Sequence, residues 1–175
     1  LVDDPAVKAK LGPLHRDAMS QLWSTVYRDR LERARSSPED PDSASMLRVT
    51  ASAQHLADHF EDVPLFLLAF SRGDSSGGSI FPAVWSAQLA ARAEGAGSAL
   101  TSVLGVIHGA EAMKILGVPP DSGWMMACCV CVCFGYPAGR WGVAARRPVH
   151  EVAYRNSWGT GLGVQIPRPL WPGAS

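Results

Sequence analysis

The chain reads as an α/β or α+β layered domain in which a small β-sheet is flanked by helices. Three observations carry this. Apolar residues recur at helical spacing over several long stretches. Three short apolar runs bounded by turn residues, 64–70 (PLFLLAF), 98–103 and 124–134, read as strands. The two kinds of segment alternate, as layered folds require, with few strands for so many helical residues. At 175 residues and 47% apolar content the chain is long enough for one domain with a real core. We expect a single domain over 1–175, with an irregular extended tail from about residue 137 set by Pro137, Pro148, Pro167, Pro169 and Pro172.

Asp4-Pro5 opens a short helical stretch that Gly12-Pro13 is expected to interrupt. Leu14, Ala18, Leu22, Val26 and Tyr27 then form an apolar stripe on a helix over 14–34. Residues 36–43 (SSPEDPDS) are a loop. Met46, Val49, Ala53, Leu56 and Phe60 mark a second helix from about 44 to 60. After the strand at 64–70 comes a glycine- and serine-rich loop, then a helix that carries Pro82 in its first turn and stops before Gly95. The 98–103 run follows, then a helix that ends at Leu116 before Gly117. The first of these two helices has two apolar stripes, Ile80, Val84, Ala87 and Ala91 on one side and Phe81, Trp85 and Leu89 on another. A surface helix of a monomer needs only one.

Charge balances at 16 basic and 16 acidic residues, so nothing pulls the chain as a whole toward nucleic acid or an anionic membrane. The longest apolar runs are too short for a bilayer span, and the start, LVDDPAVKAKLG, lacks a signal peptide's apolar core. A cytoplasmic location is the expectation. The opening LVDD looks like the end of a strand, so we expect a segment of the domain to precede Leu1.

Four cysteines sit in ACCVCVCF. On a strand Cys129, Cys131 and Cys133 share one face and Cys128 takes the other. Same-face neighbours lie roughly 6.5 Å apart, too far for an unstrained disulfide, and a strand spreads thiolates that a metal would need to converge. They read as small apolar core residues.

Two constellations resemble catalytic motifs by chance. Residues 73–77 (GDSSG) match a nucleophile-elbow pattern, with Asp121 and His150 following in hydrolase order. An elbow needs its serine on a strained turn at the helix start, whereas Ser75 precedes any possible helix start by several residues. A serine hydrolase is therefore disfavoured. Residues 55–59 (HLADH) place two histidines on one helix face, with no evident third ligand. A polar helix end, where the dipole favours histidine, is the preferred explanation.

Residues 77–117 (GGSIFPAVWSAQLAARAEGAGSALTSVLGVIHGAEAMKILG) and 135–159 (GYPAGRWGVAARRPVHEVAYRNSWG) together resemble the nitroreductase family. The resemblance implies an α+β fold with a small mixed β-sheet flanked by helices in a three-layer sandwich, FMN as cofactor, NAD(P)H as co-substrate and a homodimer with flavin between subunits. It implies hydride transfer through the flavin to a small-molecule acceptor such as a nitroaromatic or quinone, with no side chain needed as acid or base. It places Leu100, Thr101 and Ser102 beside the isoalloxazine edge, where backbone N–H groups approach N5 and O4. It places a phosphate-contacting cation at Arg146, two residues before Pro148, since guanidinium suits a phosphate dianion. Arg147 and Arg140 are weaker candidates, and Ala144 stands where relatives often carry another cation. Trp85, Trp124 and Trp141 are aromatic candidates by position only. The family's arginine-rich N-terminal segment would precede Leu1. Without it the phosphate would lose charge-assisted bonds of about 1.5–3 kcal/mol each. A flavin-binding or storage protein of the same fold, without turnover, is the alternative.

Overall fold

The computed structural model describes residues 1–74, 76–139 and 146–167, with backbone alone for 127–130. The chain forms two compact units, Leu1–Tyr136 and Pro137–Ser175.

The described residues of the first unit form five α-helices and three strands. Helix α1 spans Pro5–Ser24, α2 Arg28–Ser36 and α3 Pro41–Asp58. A 3₁₀ turn at Phe60–Asp62 leads into β1, Leu65–Arg72. Then follow α4 (Phe81–Ala93), β2 (Gly97–Thr101), α5 (Val103–Ile115) and β3 (Trp124–Gly135). The strand order is β1-β3-β2, with β3 antiparallel to both neighbours. Every described pairing is thus antiparallel, where a mixed sheet was expected. The reason is that the long β3 inserts between β1 and β2, so the two strands that run the same way never touch. Val2 adds a one-residue antiparallel bridge to Phe66, with both bonds at 2.9 Å, as the strand-like LVDD suggested.

The sheet has a helical layer on each side. Phe66, Leu68, Met126, Cys131 and Cys133 face Leu11 of α1 and Leu104 and Ala112 of α5. Leu67, Ala69, Val132 and Phe134 face Ile80 and Val84 at α4. Cys131 and Cys133 do share a face and are free thiols. A hydrogen bond with Cys133, together with burial, pushes the Cys131 thiol far above its ordinary range, so it packs as an uncharged apolar group. Cys128 and Cys129 fall where the β1–β3 register shifts, between the pairs Leu68–Cys131 and Phe70–Met126, and their side chains lie outside the described residues.

Helix α1 corrects one expectation: it runs unbroken through Gly12-Pro13. Its buried face, Lys8, Leu11, Gly12, His15, Ala18 and Met19, keeps helical spacing across the proline. An interior proline costs about 3 kcal/mol. Burying Leu11 and Met19 alone returns about 1.5–3 kcal/mol each, so packing wins. Glycine at 12 has a separate reason. A Cβ there would collide with the Glu61 carboxylate, which Arg16 holds at 2.7 Å. The break falls instead at residues 25–27, where α1 gives way to α2.

Helices α4 and α5 end as their glycines dictate. Gly95 and Gly117 sit at φ 80° and 70°. In each case the next residue's N–H reaches back to form a Schellman cap, Ala96 to Ala91 O at 2.9 Å and Val118 to Met113 O at 3.0 Å. Helix α5 is kinked at His108, whose Nε2 lies 2.6 Å from Asp17 of α1.

In the second unit the described residues are irregular apart from a 3₁₀ turn at Val149–Glu151. No helix of the described residues is long and apolar enough to cross a membrane.

Candidate functional site

Strand β2 is an edge strand. Among the described residues it pairs with β3 on one side and with no strand on the other. Among the described residues, main-chain donors and acceptors on that edge have no strand partner, the kind of edge that a ligand can pair with. The strand ends at Thr101, and Ser102 caps α5 without a side-chain hydrogen bond to the helix. The first N–H groups of α5 are thus left without a capping side chain at this point, and the helix's partial positive charge lies there.

A cavity of about 360 Å³ opens against this corner. Leu100, Thr101, Ser102 and Val103 form one wall. Met19, Leu22 and Trp23 of α1, Tyr27 and Arg30 near the start of α2, and Ser45, Met46, Val49 and Ala53 of α3 form the rest. The volume lies in the range of small-molecule sites, and a mostly apolar, aromatic lining with a few polar groups is their usual composition. Trp23 and Tyr27 pack at 5.5 Å between ring centroids. In the sequence these residues read as a plain helix stripe. Their convergence on β2 appears only once α1 and α3 pack across the sheet's end.

Behind the cavity wall lies His15, 1% exposed. Its ring stacks on Phe60 at 4.1 Å and 14°, and its Nε2 lies 3.5 Å from Thr101 Oγ1. Burial, helped by the nearby Arg16 charge and opposed by Glu61, pushes its pKa down to about 4, so the ring is neutral at physiological pH. Sequence reading passed over it, because one histidine on an apolar helix face carries no signal.

Arg146 and Arg147 belong to the second unit and are exposed. Arg147 donates to the Glu151 carbonyl at 3.0 Å and lies 3.4 Å from its carboxylate. Arg140 and Trp141 lie outside the described residues, as does Ser75. Trp85 is an exposed residue of α4, and Trp124 stacks under the Arg72 guanidinium at 4.7 Å.

The loop around Ser75 is organised by Asp74. Its carboxylate accepts from Ser76 Oγ, from the Gly78 and Ser79 amides and from Ser79 Oγ, and these bonds hold it well below the usual carboxylate range. His150 accepts the Ile166 amide on Nδ1 at 3.0 Å, the nitrogen that a triad histidine must use as a donor to its carboxylate. The His55 and His59 rings lie 4.5 Å apart and tilted by 46°, and His59 pairs with Asp62 at 3.1 Å. No group of three potential metal ligands converges among the described residues.

No family model and no curated protein matches the chain. Among solved structures it is similar to a BluB-like flavoprotein from Clostridium difficile 630, with a TM-score of 0.56. The two are 14% identical over 89% of this chain and 77% of that one. At that identity the likeness shows the fold: α+β, nitroreductase-like, with helices on both faces of a small sheet.

The buried His15 sets a pH dependence. Its folded pKa of about 4 lies below the ordinary 6.5 of the unfolded chain, so between these values the unfolded state binds more protons. The contribution is complete above pH 6.5, declines as pH falls and is fully lost near pH 4. The loss across that window is about 3 kcal/mol. Urea unfolding at stepped pH is expected to show this slope, and His15→Phe, which keeps the stack on Phe60, is expected to remove it.

Proposed function

We propose that the chain is an FMN-dependent oxidoreductase of the nitroreductase kind, acting in the cytoplasm on a small acceptor such as a nitroaromatic or quinone with NAD(P)H as hydride source. The observation that carries this reading is the free edge of β2 set against an aromatic-lined cavity of about 360 Å³. A flat heteroaromatic ring with polar atoms along one edge suits such a corner: apolar faces need the Trp23, Tyr27, Met19 and Met46 surface, and a polar edge needs main-chain partners. The likeness to a solved flavoprotein supports the same reading.

FMN, when bound, would supply the two-electron hydride chemistry that the protein's own side chains lack. The residues 100–102 would hold the ring's polar edge through their backbone. The start of α5, near Ser102, favours negative charge and would stabilise an anionic reduced ring. Arg146 would bind the phosphate, with Arg147 and Arg140 as lesser contributors; the Arg147–Glu151 contact already engages Arg147.

The helix α4 supports a homodimer. Val84 is buried on its own sheet, with Ile80, Ala87 and Ala91 half-buried. Phe81, Trp85 and Leu89 stand 37%, 62% and 50% exposed, a continuous apolar stripe one turn apart. A second copy of this chain is the proposed cover. Ala87 and Ala91 therefore belong to the internal face, and the interface is tested at Trp85 and Leu89.

Anaerobic mixing of the FMN-loaded protein with NADH or NADPH is expected to bleach the flavin, and a later acceptor to restore it. Binding without bleaching would favour the storage alternative. Arg146→Ala is expected to weaken FMN by about 1.5–3 kcal/mol, roughly ten- to a hundredfold, measured by fluorescence titration. An unchanged dissociation constant would remove Arg146 from the site.

For the dimer, Trp85→Glu is expected to give a well-folded monomer in sedimentation velocity, where the unmodified chain sediments as a dimer. Identical sedimentation of the two would contradict the α4 interface.

A further inference from the structure

We infer that His15 is a positioning residue that fixes the Thr101 hydroxyl as a hydrogen-bond donor toward the cavity, so that the site selects a ligand edge that accepts. The inference rests on the flavin reading for the ligand, and on this chain's geometry alone for the residues.

The neutral His15 ring carries one N–H, on either nitrogen. Nδ1 is buried and has no hydrogen-bond partner among the described residues, whereas Nε2 faces Thr101 Oγ1 at 3.5 Å. A proton on Nδ1 would bury an unpaired donor, which native structures avoid more strictly than an under-used acceptor. The proton therefore belongs on Nε2, pointing at the Thr101 oxygen. Ring stacking on Phe60 at 4.1 Å opposes a turn of the imidazole about its Cβ–Cγ bond, which would put Cε1 in place of Nε2 opposite Thr101. The charged groups acting on His15 are Arg16, on its own helix, and Glu61, from the 3₁₀ turn packed against α1. They act in opposite senses, and they pair with each other at 2.7 Å.

A hydroxyl that accepts from His15 still has its own hydrogen to give. On the core side the imidazole fills the position, and Thr101 stands at the cavity wall. The hydrogen is thus left for the cavity. The partner it suits is an acceptor, a ring carbonyl oxygen or an unprotonated ring nitrogen, and an N–H edge placed there would meet a like donor. The length of 3.5 Å suits an open site, since contacts that shape a ligand site often tighten only when it fills.

Two measurements test this. The first needs no flavin. In protein labelled with ¹⁵N-histidine, long-range ¹H–¹⁵N correlation at neutral pH is expected to show His15 as the Nε2–H tautomer, with that resonance shifted in Thr101→Val. An Nδ1–H tautomer, a charged ring, or no response to Thr101→Val would overturn the inference. The second is a double-mutant cycle on FMN affinity. His15→Phe and Thr101→Val are each expected to weaken binding about three- to tenfold, with the double variant no weaker than either single. Additive losses would overturn the coupling. Thr101→Ser, which keeps the hydroxyl, is expected to retain affinity, and equal loss in Thr101→Ser and Thr101→Val would also count against it. If the unmodified chain binds no FMN, the flavin reading falls while the tautomer measurement still decides the role of His15.

Discussion

Three stacked rings join the elements of the first unit. His15 of α1 lies on Phe60 of the 3₁₀ turn at 4.1 Å, and Phe60 lies on Phe66 of β1 at 4.4 Å. All three are almost fully buried. Through Phe66 the stack touches the strand that Val2 pairs with, and through His15 it reaches Thr101 at the end of β2. The helix, the turn and both ends of the sheet are thus fixed relative to one another by one column of rings. Deleting such a ring costs about 3–5 kcal/mol in transfer and cavity terms, a large share of any domain's net stability. Smaller contacts hold the same register. Lys8 Nζ donates to Val63 O at 2.9 Å, and Arg16 pairs with Glu61 over the space that Gly12 leaves open.

That constraint explains where the candidate site lies. With α1 anchored by His15, its next turns carry Met19 and Trp23 past the end of β2, and α3 brings Met46 and Val49 to the other side. Among the described residues of the first unit the edge of β2 has no strand partner, since α4 and α5 pack on the sheet's faces. An open edge is a hazard for a soluble fold unless something covers it. Here a ligand, a partner chain or both are the natural covers, and the exposed Phe81, Trp85 and Leu89 stripe of α4 lies close in sequence to β2.

Much of this was legible in the sequence, for local reasons. Gly95 and Gly117 announced left-handed caps, Pro82 announced a helix start, and strand runs bounded by breakers came within two residues of their observed ends. These signals are short-range. The misreadings were long-range. Pro13 reads as a helix breaker, yet a buried face that continues across it outweighs the lost bond. Antiparallel pairing throughout followed from where β3 inserts, which no local pattern states. The cavity wall at 100–102 coincides with residues that the family resemblance singled out, whereas the opposite wall carried no signal in the sequence. Trp23, Tyr27, Met46 and His15 each fit an ordinary core stripe, and their shared destination depends on packing across more than fifty residues of chain.

The central claim is that the cavity beside Leu100, Thr101 and Ser102 seats a flavin ring. Equilibrium titration of the purified protein with riboflavin, which has the ring but no phosphate, tests it most directly. The account predicts saturable quenching of flavin fluorescence at one ring per chain, and protection of Trp23 fluorescence from a soluble quencher. Fluorescence that stays linear in added riboflavin, with Trp23 equally accessible throughout, would contradict it.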